Sequence, residues 1–129
     1  MTIAELCLLL AVILTIVSIM PAKMNGGGDF DNGNPRDPKF YTPGLRVRSQ
    51  GAHLNGFEAF PFFATAVILA EMRGVPQTAV NALAVAFIVV RVLYVALYLA
   101  DKPSFRSLAW STGFACNVAL FLSPFWVGR

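Results

Sequence analysis

Four long apolar stretches, separated by polar segments, constrain how this chain can fold. They cover roughly residues 3–20, 52–72, 78–100 and 105–127. A helix that crosses a lipid bilayer needs about 20 mostly apolar residues, and only a helix or a closed barrel satisfies its own backbone polar groups there. With 57% hydrophobic and 13% charged residues, the chain is too apolar to hide this surface in a soluble core. The sequence therefore predicts one all-α integral membrane domain over residues 1–129.

The connections between the stretches predict how the helices are arranged. A loop rich in glycine and proline, at about residues 23–47, joins the first helix to the second. Residues 73–76 and 101–104 form tight turns, and each contains a proline, which favours the start of the next helix. Because short turns make neighbouring helices antiparallel, we expect an up-down bundle of four transmembrane helices in contact with membrane lipids.

The basic residues predict the orientation of the bundle. The first loop carries Lys23, Arg36, Lys39, Arg46 and Arg48, and the third connection adds Lys102 and Arg106. The opposite side has only Arg73 and Arg129. The positive-inside rule then places the first loop in the cytoplasm and both termini outside. The basic residues do not form a stripe on one face, so the net charge of +3 does not predict nucleic-acid binding.

Polar residues interrupt the second and third apolar stretches at helical spacing. Asn55 and Glu58 share one face of the second helix, and Arg91, Tyr94 and Tyr98 share one face of the third. An ionisable side chain at bilayer depth is energetically expensive and normally marks a functional site. Glu58 and Arg91 have opposite charges and lie at compatible depths, so we expect them to meet directly or through a water molecule.

Arg106 and Ser107 lie in the first turn of the fourth helix, at the end where Asn55 and Tyr98 are expected. His53, the only histidine, is expected at the same end. A cationic pocket with amide, phenol and hydroxyl groups suits a small anionic, peptide-like ligand, because arginine binds carboxylates through paired hydrogen bonds. No second histidine or cysteine accompanies His53 at the spacing of metal ligands, so no metal site is predicted. The alternative is an ion pair that only fixes the helix register.

Three segments of the sequence resemble one known family. The first is carried by Arg48, His53, Leu54, Asn55, Glu58, Pro61 and Phe62, and the second by Arg91, Tyr94 and Tyr98. The third, residues 99–110, resembles the turn between the third and fourth helices in a bacterial branch of that family. Over nearly its whole length the chain is similar to the MAPEG family, the membrane-associated proteins in eicosanoid and glutathione metabolism.

The resemblance implies a homotrimer of four-helix protomers in a bacterial inner membrane. It also implies that glutathione, or another low-molecular-weight thiol, binds between adjacent subunits toward the cytoplasm and is activated as a thiolate. The thiolate then attacks a lipophilic small-molecule substrate, as in glutathione transferases and peroxidases. At matching positions, Arg106 and Ser107 would stabilise the thiolate. The remaining thiol-binding positions are Asn55, Glu58, Arg91, Tyr94, Tyr98, His53 and Lys23.

Two departures from the family pattern support a different function on the same fold. Leu54 and Tyr94 stand where family members with glutathione chemistry often carry a basic residue and a histidine. They favour a non-catalytic lipid-binding or scaffold protein.

A small drug exporter is a third alternative, but such proteins use a carboxylate within the first helix. Glu5 lies too close to the helix end for that role, and Glu58 lies in the second helix.

Overall fold

Helices account for most of the chain in the computed structural model, which describes residues 1–126. In chain order they are α1 (Ile3–Val17), α2 (Met20–Met24), α3 (Leu45–Met72), α4 (Gln77–Leu99) and α5 (Pro103–Trp126). Four spans are long and apolar enough to cross a membrane, with α1 and α2 together forming the first. No strand occurs in the described residues. The prediction of an all-α, four-helix integral membrane bundle is confirmed.

The first predicted helix, residues 3–20, is divided at its end. Thr2 and Glu5 begin α1 with a reciprocal cap, in which the Thr2 hydroxyl accepts from the Glu5 amide at 3.0 Å. The helix ends at Val17, and the Ser18 hydroxyl donates to the Thr15 carbonyl at 2.7 Å. Pro21, at the start of α2, has no amide hydrogen with which to continue the helical hydrogen bonds. The corner between α1 and α2 therefore lies at residues 18–19.

The second transmembrane helix begins at Leu45 rather than Ala52, so the predicted loop 23–47 shrinks to residues 25–44. Gly44 precedes it with a φ of 112°, a conformation that favours glycine. The extra turns are stabilised by Ser49, which is fully buried. Its hydroxyl donates to the Ser18 carbonyl at 2.6 Å and accepts from the Ala22 amide at 3.2 Å. Because this segment is polar, hydropathy alone did not indicate that it is helical.

The remaining boundaries differ little from prediction. The third transmembrane helix, predicted over 78–100, is α4 at Gln77–Leu99, and the fourth begins at Pro103 rather than Phe105. Proline is well accommodated in the first turn of a helix, which explains this earlier start. The predicted end of the fourth helix at Val127, and Arg129, lie outside the described residues.

Hydrogen bonds between the helix ends fix the up-down arrangement. At one side the Arg48 guanidinium donates to the Leu99 carbonyl at 3.2 Å, joining the start of α3 to the end of α4. At the other side the Ala4 amide donates to Asn81 Oδ1 at 3.0 Å. We call the end that contains residues 25–44 and the α4–α5 turn the loop side. Phe63 stacks on Phe87 in the core at 4.1 Å between ring centroids.

Many apolar side chains point away from this core. In each of α3, α4 and α5, only 28% of the most apolar 18-residue segment is buried, and in the α1–α2 span the buried share is 33%. Outward residues such as Ile13, Val89 and Leu108 are 45%, 62% and 64% exposed. In a membrane these surfaces contact lipid, as the composition predicts.

Candidate functional site

The expected contact between Glu58 and Arg91 is made through Asn55. Arg91 Nη1 donates to Asn55 Oδ1 at 2.8 Å, and Asn55 Nδ2 donates to Glu58 Oε2 at 3.3 Å. No direct ion pair joins the two charges in the described residues. An asparagine amide carries both a donor and an acceptor, so it can bond to the cation and the anion at once. The prediction of a direct contact is therefore corrected, because an amide bridge links the two charges.

Burial differs sharply along this bridge. Arg91 is only 6% exposed, whereas Glu58 is exposed and Asn55 is half-buried. The guanidinium therefore depends on partners that the protomer supplies, and the carboxylate remains accessible at the protomer surface. The Arg91 guanidinium also lies over the Tyr94 ring, 4.2 Å from its centroid.

Aromatic rings connect Arg91 to the loop side. Tyr94 meets Tyr98 edge to face at 5.7 Å between centroids, and the Arg106 guanidinium lies over the Tyr98 ring at 4.4 Å. The order is thus cation, ring, ring, cation. A cation over an aromatic face is attracted by the ring quadrupole, so the two tyrosines help to hold both guanidinium groups.

Arg106 and Ser107 border a polar cavity at the loop side of the bundle. Its volume is about 270 Å³, and it is lined by Tyr94, Tyr98, Arg106, Ser107, Trp110 and Ser111. We call this cavity the Arg106 hollow. Arg106 is half-buried and Ser107 is exposed. The structure therefore brings together Tyr94, Tyr98, Arg106 and Ser107, four of the predicted site residues.

A second cavity of about 170 Å³ lies beside the Arg106 hollow, and Trp110 lines both. We call it the Glu58 groove. Its polar lining consists of Asn55, Glu58, Arg91 and Asn117, and the rest is Ala59, Phe62, Phe87, Trp110, Gly113 and Phe114. Trp110 stacks on Phe114 at 5.4 Å between centroids, and both are exposed at the protomer surface. A polar hollow and a largely aromatic groove thus adjoin.

Lys23 and His53 lie apart from these two cavities. Both border a third cavity of about 470 Å³, which we call the Lys23 hollow and which also includes Arg36, Gln50, Leu54 and Phe57. His53 and Asn55 are two positions apart on α3, so their side chains point to different sides of the helix. His53 Nδ1 lies 2.6 Å from the Thr15 carbonyl, and Lys23 Nζ lies 4.8 Å from the centroid of the Phe30 ring. Within one protomer the predicted residues therefore do not form a single site.

Several residues around the cavities were not predicted as site residues. Trp110, Gly113 and Asn117 follow Arg106 at intervals of four, three and four residues, which places all four on one face of α5. That spacing is the signal by which they could have been found. Gly51 was also not predicted to matter for the site, although a side chain there would collide with the Tyr98 hydroxyl and ring. The absence of a side chain at Gly51 lets Tyr98 lie directly against α3.

Across residues 1–126, no group of three or more histidine, cysteine, aspartate or glutamate side chains is close enough to hold a metal ion. The polar groups that line the Glu58 groove and the Arg106 hollow are arginine, amide, phenol, hydroxyl and carboxylate groups.

Comparison with known proteins assigns the family. The MAPEG family model matches residues 3–126, which include all five helices and every residue that lines the three cavities. Corresponding comparisons with curated proteins and with solved structures give no significant match. The match covers almost the entire chain, in agreement with the resemblance of its second- and third-helix motifs. This four-helix membrane protein therefore belongs to the MAPEG family.

Proposed function

We propose that this protein is a membrane-bound transferase or peroxidase that uses glutathione, or another low-molecular-weight thiol, to attack lipophilic electrophiles. The observation that carries the proposal is the contact between the Arg106 hollow and the Glu58 groove, which share Trp110. The hollow offers a cation and hydroxyl groups to a polar, anionic thiol. The groove offers aromatic walls to an apolar partner, so the two reactants would meet beside Trp110.

Arg106 is the residue that activates the thiol in this proposal. A free thiol has a pKa of about 8.5, and a neighbouring cation lowers that pKa and raises the fraction present as thiolate. The Arg106 guanidinium is held over the Tyr98 ring, 4.4 Å from the ring centroid. The Ser107 hydroxyl can donate a hydrogen bond to the thiolate sulfur. The arrangement therefore favours the reactive form of a bound thiol at neutral pH.

The chemical steps follow from a bound thiolate. In conjugation, the thiolate sulfur forms a bond to an electrophilic carbon, and the leaving group departs with the bonding electron pair. In peroxide reduction, the thiolate attacks the terminal oxygen of a hydroperoxide and releases an alcohol, and a second thiol then displaces water to give a disulfide. In conjugation the thiol proton passes to solvent on the loop side, whereas in peroxide reduction a proton is taken up again by the departing alkoxide to give the alcohol, and the second thiol displaces water from the sulfenic acid.

Asn55 and Glu58 supply the contacts for a peptide-like thiol. Glu58 is an accessible carboxylate and suits the amino group of such a ligand. Asn55 already orients Glu58 through its Nδ2 and is itself held by Arg91. Arg91 therefore acts as a positioning residue, since its guanidinium is buried and holds the amide that holds the carboxylate.

Lys23 and His53 enter the site only if a second copy of the chain contributes them. We place the Lys23 hollow of one protomer against the Glu58 groove of the next in a homotrimer. The position of the two cavities on different sides of α3, together with the exposed apolar faces of the spans, supports this assembly. An interface between two different surfaces closes into a ring when the rotation between copies is suitable.

Mixed trimers test this arrangement. Lys23→Gln and Glu58→Gln each remove one side of the shared site, so each homotrimer should be inactive. Co-assembly of the two variants recreates interfaces in which both side chains are intact, and activity should return. Activity that stays absent in mixed trimers would show that Lys23 and Glu58 do not act across a subunit interface, and an active Lys23→Gln homotrimer would place Lys23 outside the thiol site.

Lipid binding without catalysis is the second candidate function. It is favoured by the aromatic lining of the Glu58 groove and by Leu54, which is 53% exposed on the Lys23 hollow. A non-catalytic lipid-binding protein needs an apolar groove and no activated thiol. The two functions therefore differ in whether a thiol binds at Glu58.

Calorimetric titration of glutathione into the protein in lipid nanodiscs distinguishes the two functions. Glu58→Gln should abolish binding, because the carboxylate that takes the amino group is lost. Glu71→Gln is the matched control, since Glu71 lies on the same helix but contacts Thr2 and Gln77 at the opposite end of the bundle. No binding by the wild type, or equal binding by both variants, would contradict the transferase proposal.

A further inference from the structure

Asn117 is a polar side chain in a membrane-spanning helix, and its Oδ1 has no hydrogen-bond partner among residues 1–126. It is 3% exposed. Unpaired polar groups are expensive at membrane depth, because no bulk water is present to satisfy them. A buried amide in this position therefore indicates a partner that residues 1–126 of the protomer do not provide.

The position of Asn117 indicates what that partner is. Asn117 lines the Glu58 groove, where its neighbours in the lining include Phe62, Phe87 and Phe114. It lies eleven residues after Arg106 on α5, which corresponds to about 16 Å along the helix axis. The amide is thus deeper in the membrane than the Arg106 hollow, where the thiol would bind. A partner that reaches this amide from the lipid must be apolar enough to enter a groove with aromatic walls.

We propose that Asn117 binds a hydroxyl or hydroperoxide group on the lipophilic substrate and so determines which substrates the groove accepts. The inference rests on the proposed function, since it takes the groove as the site of the apolar reactant. An amide offers one acceptor and two donors, and hydroxyl and hydroperoxide groups both donate and accept. A hydrocarbon or a simple halide leaves the amide unpaired, so such molecules bind less tightly.

Water is the competing partner for the amide. A buried water molecule typically makes about three hydrogen bonds and needs a polar site. Asn55 bonds to one nitrogen of Arg91 and to one oxygen of Glu58, so part of the hydrogen-bonding capacity of these groups is already used. The aromatic side chains in the rest of the lining offer a water molecule no comparable partner. A water molecule held by the amide would remove the preference for a hydroxyl group that the probes below measure.

A pair of probes with nearly the same shape tests the proposal without any thiol. Cumyl alcohol and tert-butylbenzene differ only in that a methyl group of the second replaces the hydroxyl of the first. The protein carries two tryptophans, so Trp126→Phe leaves Trp110, which lines the groove, as the fluorescent reporter. Bromobenzene quenches Trp110 through its heavy atom, and each probe is measured by its ability to displace bromobenzene in nanodiscs of one lipid composition.

We expect the Trp126→Phe protein to bind cumyl alcohol roughly threefold to tenfold more tightly than tert-butylbenzene, after correction for partition into lipid, as one net hydrogen bond would give. Asn117→Leu in the same background should lose this preference. Thr112→Val is the matched control, because Thr112 lies on the same helix, is exposed and bonds only to the Leu108 carbonyl at 2.9 Å. It should keep the preference.

The outcomes separate this inference from the proposed function. Equal binding of the two probes to the parent protein, or an unchanged preference in Asn117→Leu, would overturn the role of Asn117. Asn117→Ala provides a second variant with the same expected result if the leucine variant does not assemble. Because no thiol is added, a protein that does not bind glutathione can still show the preference. Failure of the thiol proposal is instead detected by the glutathione titration.

Discussion

Replacing Asn55 by leucine tests whether the amide bridge stabilises the buried guanidinium of Arg91. The substitution removes the 2.8 Å hydrogen bond from Arg91 Nη1 and the weaker 3.3 Å bond to Glu58 while keeping a side chain of similar size. A hydrogen bond to a charged group contributes about 1.5–3 kcal/mol, and interhelical bonds in membranes contribute at most about 1.7 kcal/mol. We therefore expect Asn55→Leu to lower the free energy of unfolding by about 1.5 kcal/mol, or roughly tenfold in the folding equilibrium.

Two further variants assign this loss to the Arg91 side of the bridge. Glu58→Gln should cost well under about 1 kcal/mol, because Glu58 is exposed and its bond to Asn55 is long. Asn117→Leu, the matched change at a buried asparagine without a partner among residues 1–126, should be neutral or stabilising.

The assay is unfolding in mixed micelles at increasing mole fraction of sodium dodecyl sulfate, followed by tryptophan fluorescence. The expected order of stability places Asn55→Leu well below Glu58→Gln and the wild type. If Glu58→Gln were the more destabilising variant, or if Asn117→Leu cost as much as Asn55→Leu, the bridge to Arg91 would not be the stabilising contact.

Two close helix contacts give further predictions. Gly51→Ala should weaken glutathione binding in calorimetry while retaining the fold, because the added methyl group displaces the Tyr98 ring; unchanged affinity would separate Tyr98 from the thiol site. Gly56→Ala should lower the free energy of unfolding by about 1–3 kcal/mol in the same micelle assay, because the methyl group overlaps the Thr15 side chain on α1. A fully stable Gly56→Ala protein would show that α1 and α3 can separate at no cost.

The four transmembrane spans were predictable because each contains a long apolar stretch that is visible in the hydropathy of the sequence. The apolar stretches at the centres of α1, α3, α4 and α5 correspond to the four candidate spans. The start of α3 was not predictable in this way, because its first turns are polar and are stabilised by Ser49, which bonds to the corner between α1 and α2. Ser49 is separated from its two partners by 27 and 31 positions in the sequence, and contacts over such distances leave no periodic pattern.

The candidate site was predictable along each helix but not between helices. Helical spacing correctly grouped Asn55 with Glu58, and Arg91 with Tyr94. The helical spacing of the residues and their depth in the membrane could not indicate that the Asn55 amide lies between the Glu58 and Arg91 side chains, because this depends on side-chain conformation. The unpaired state of Asn117 was likewise hidden, because it depends on which residues of α3 and α4 line the groove opposite α5.

We expect a thiol bound beside Arg106 to be activated as a thiolate. The most direct test is the ultraviolet difference spectrum of the protein in nanodiscs at neutral pH, on addition of glutathione and of S-methylglutathione, which has no thiol to ionise. The wild type should show a thiolate band with glutathione alone, and Arg106→Gln should lose most of that band while still forming the bundle. No thiolate band in a wild-type protein that binds glutathione, or an equal band in Arg106→Gln, would contradict the activation of the thiol by Arg106.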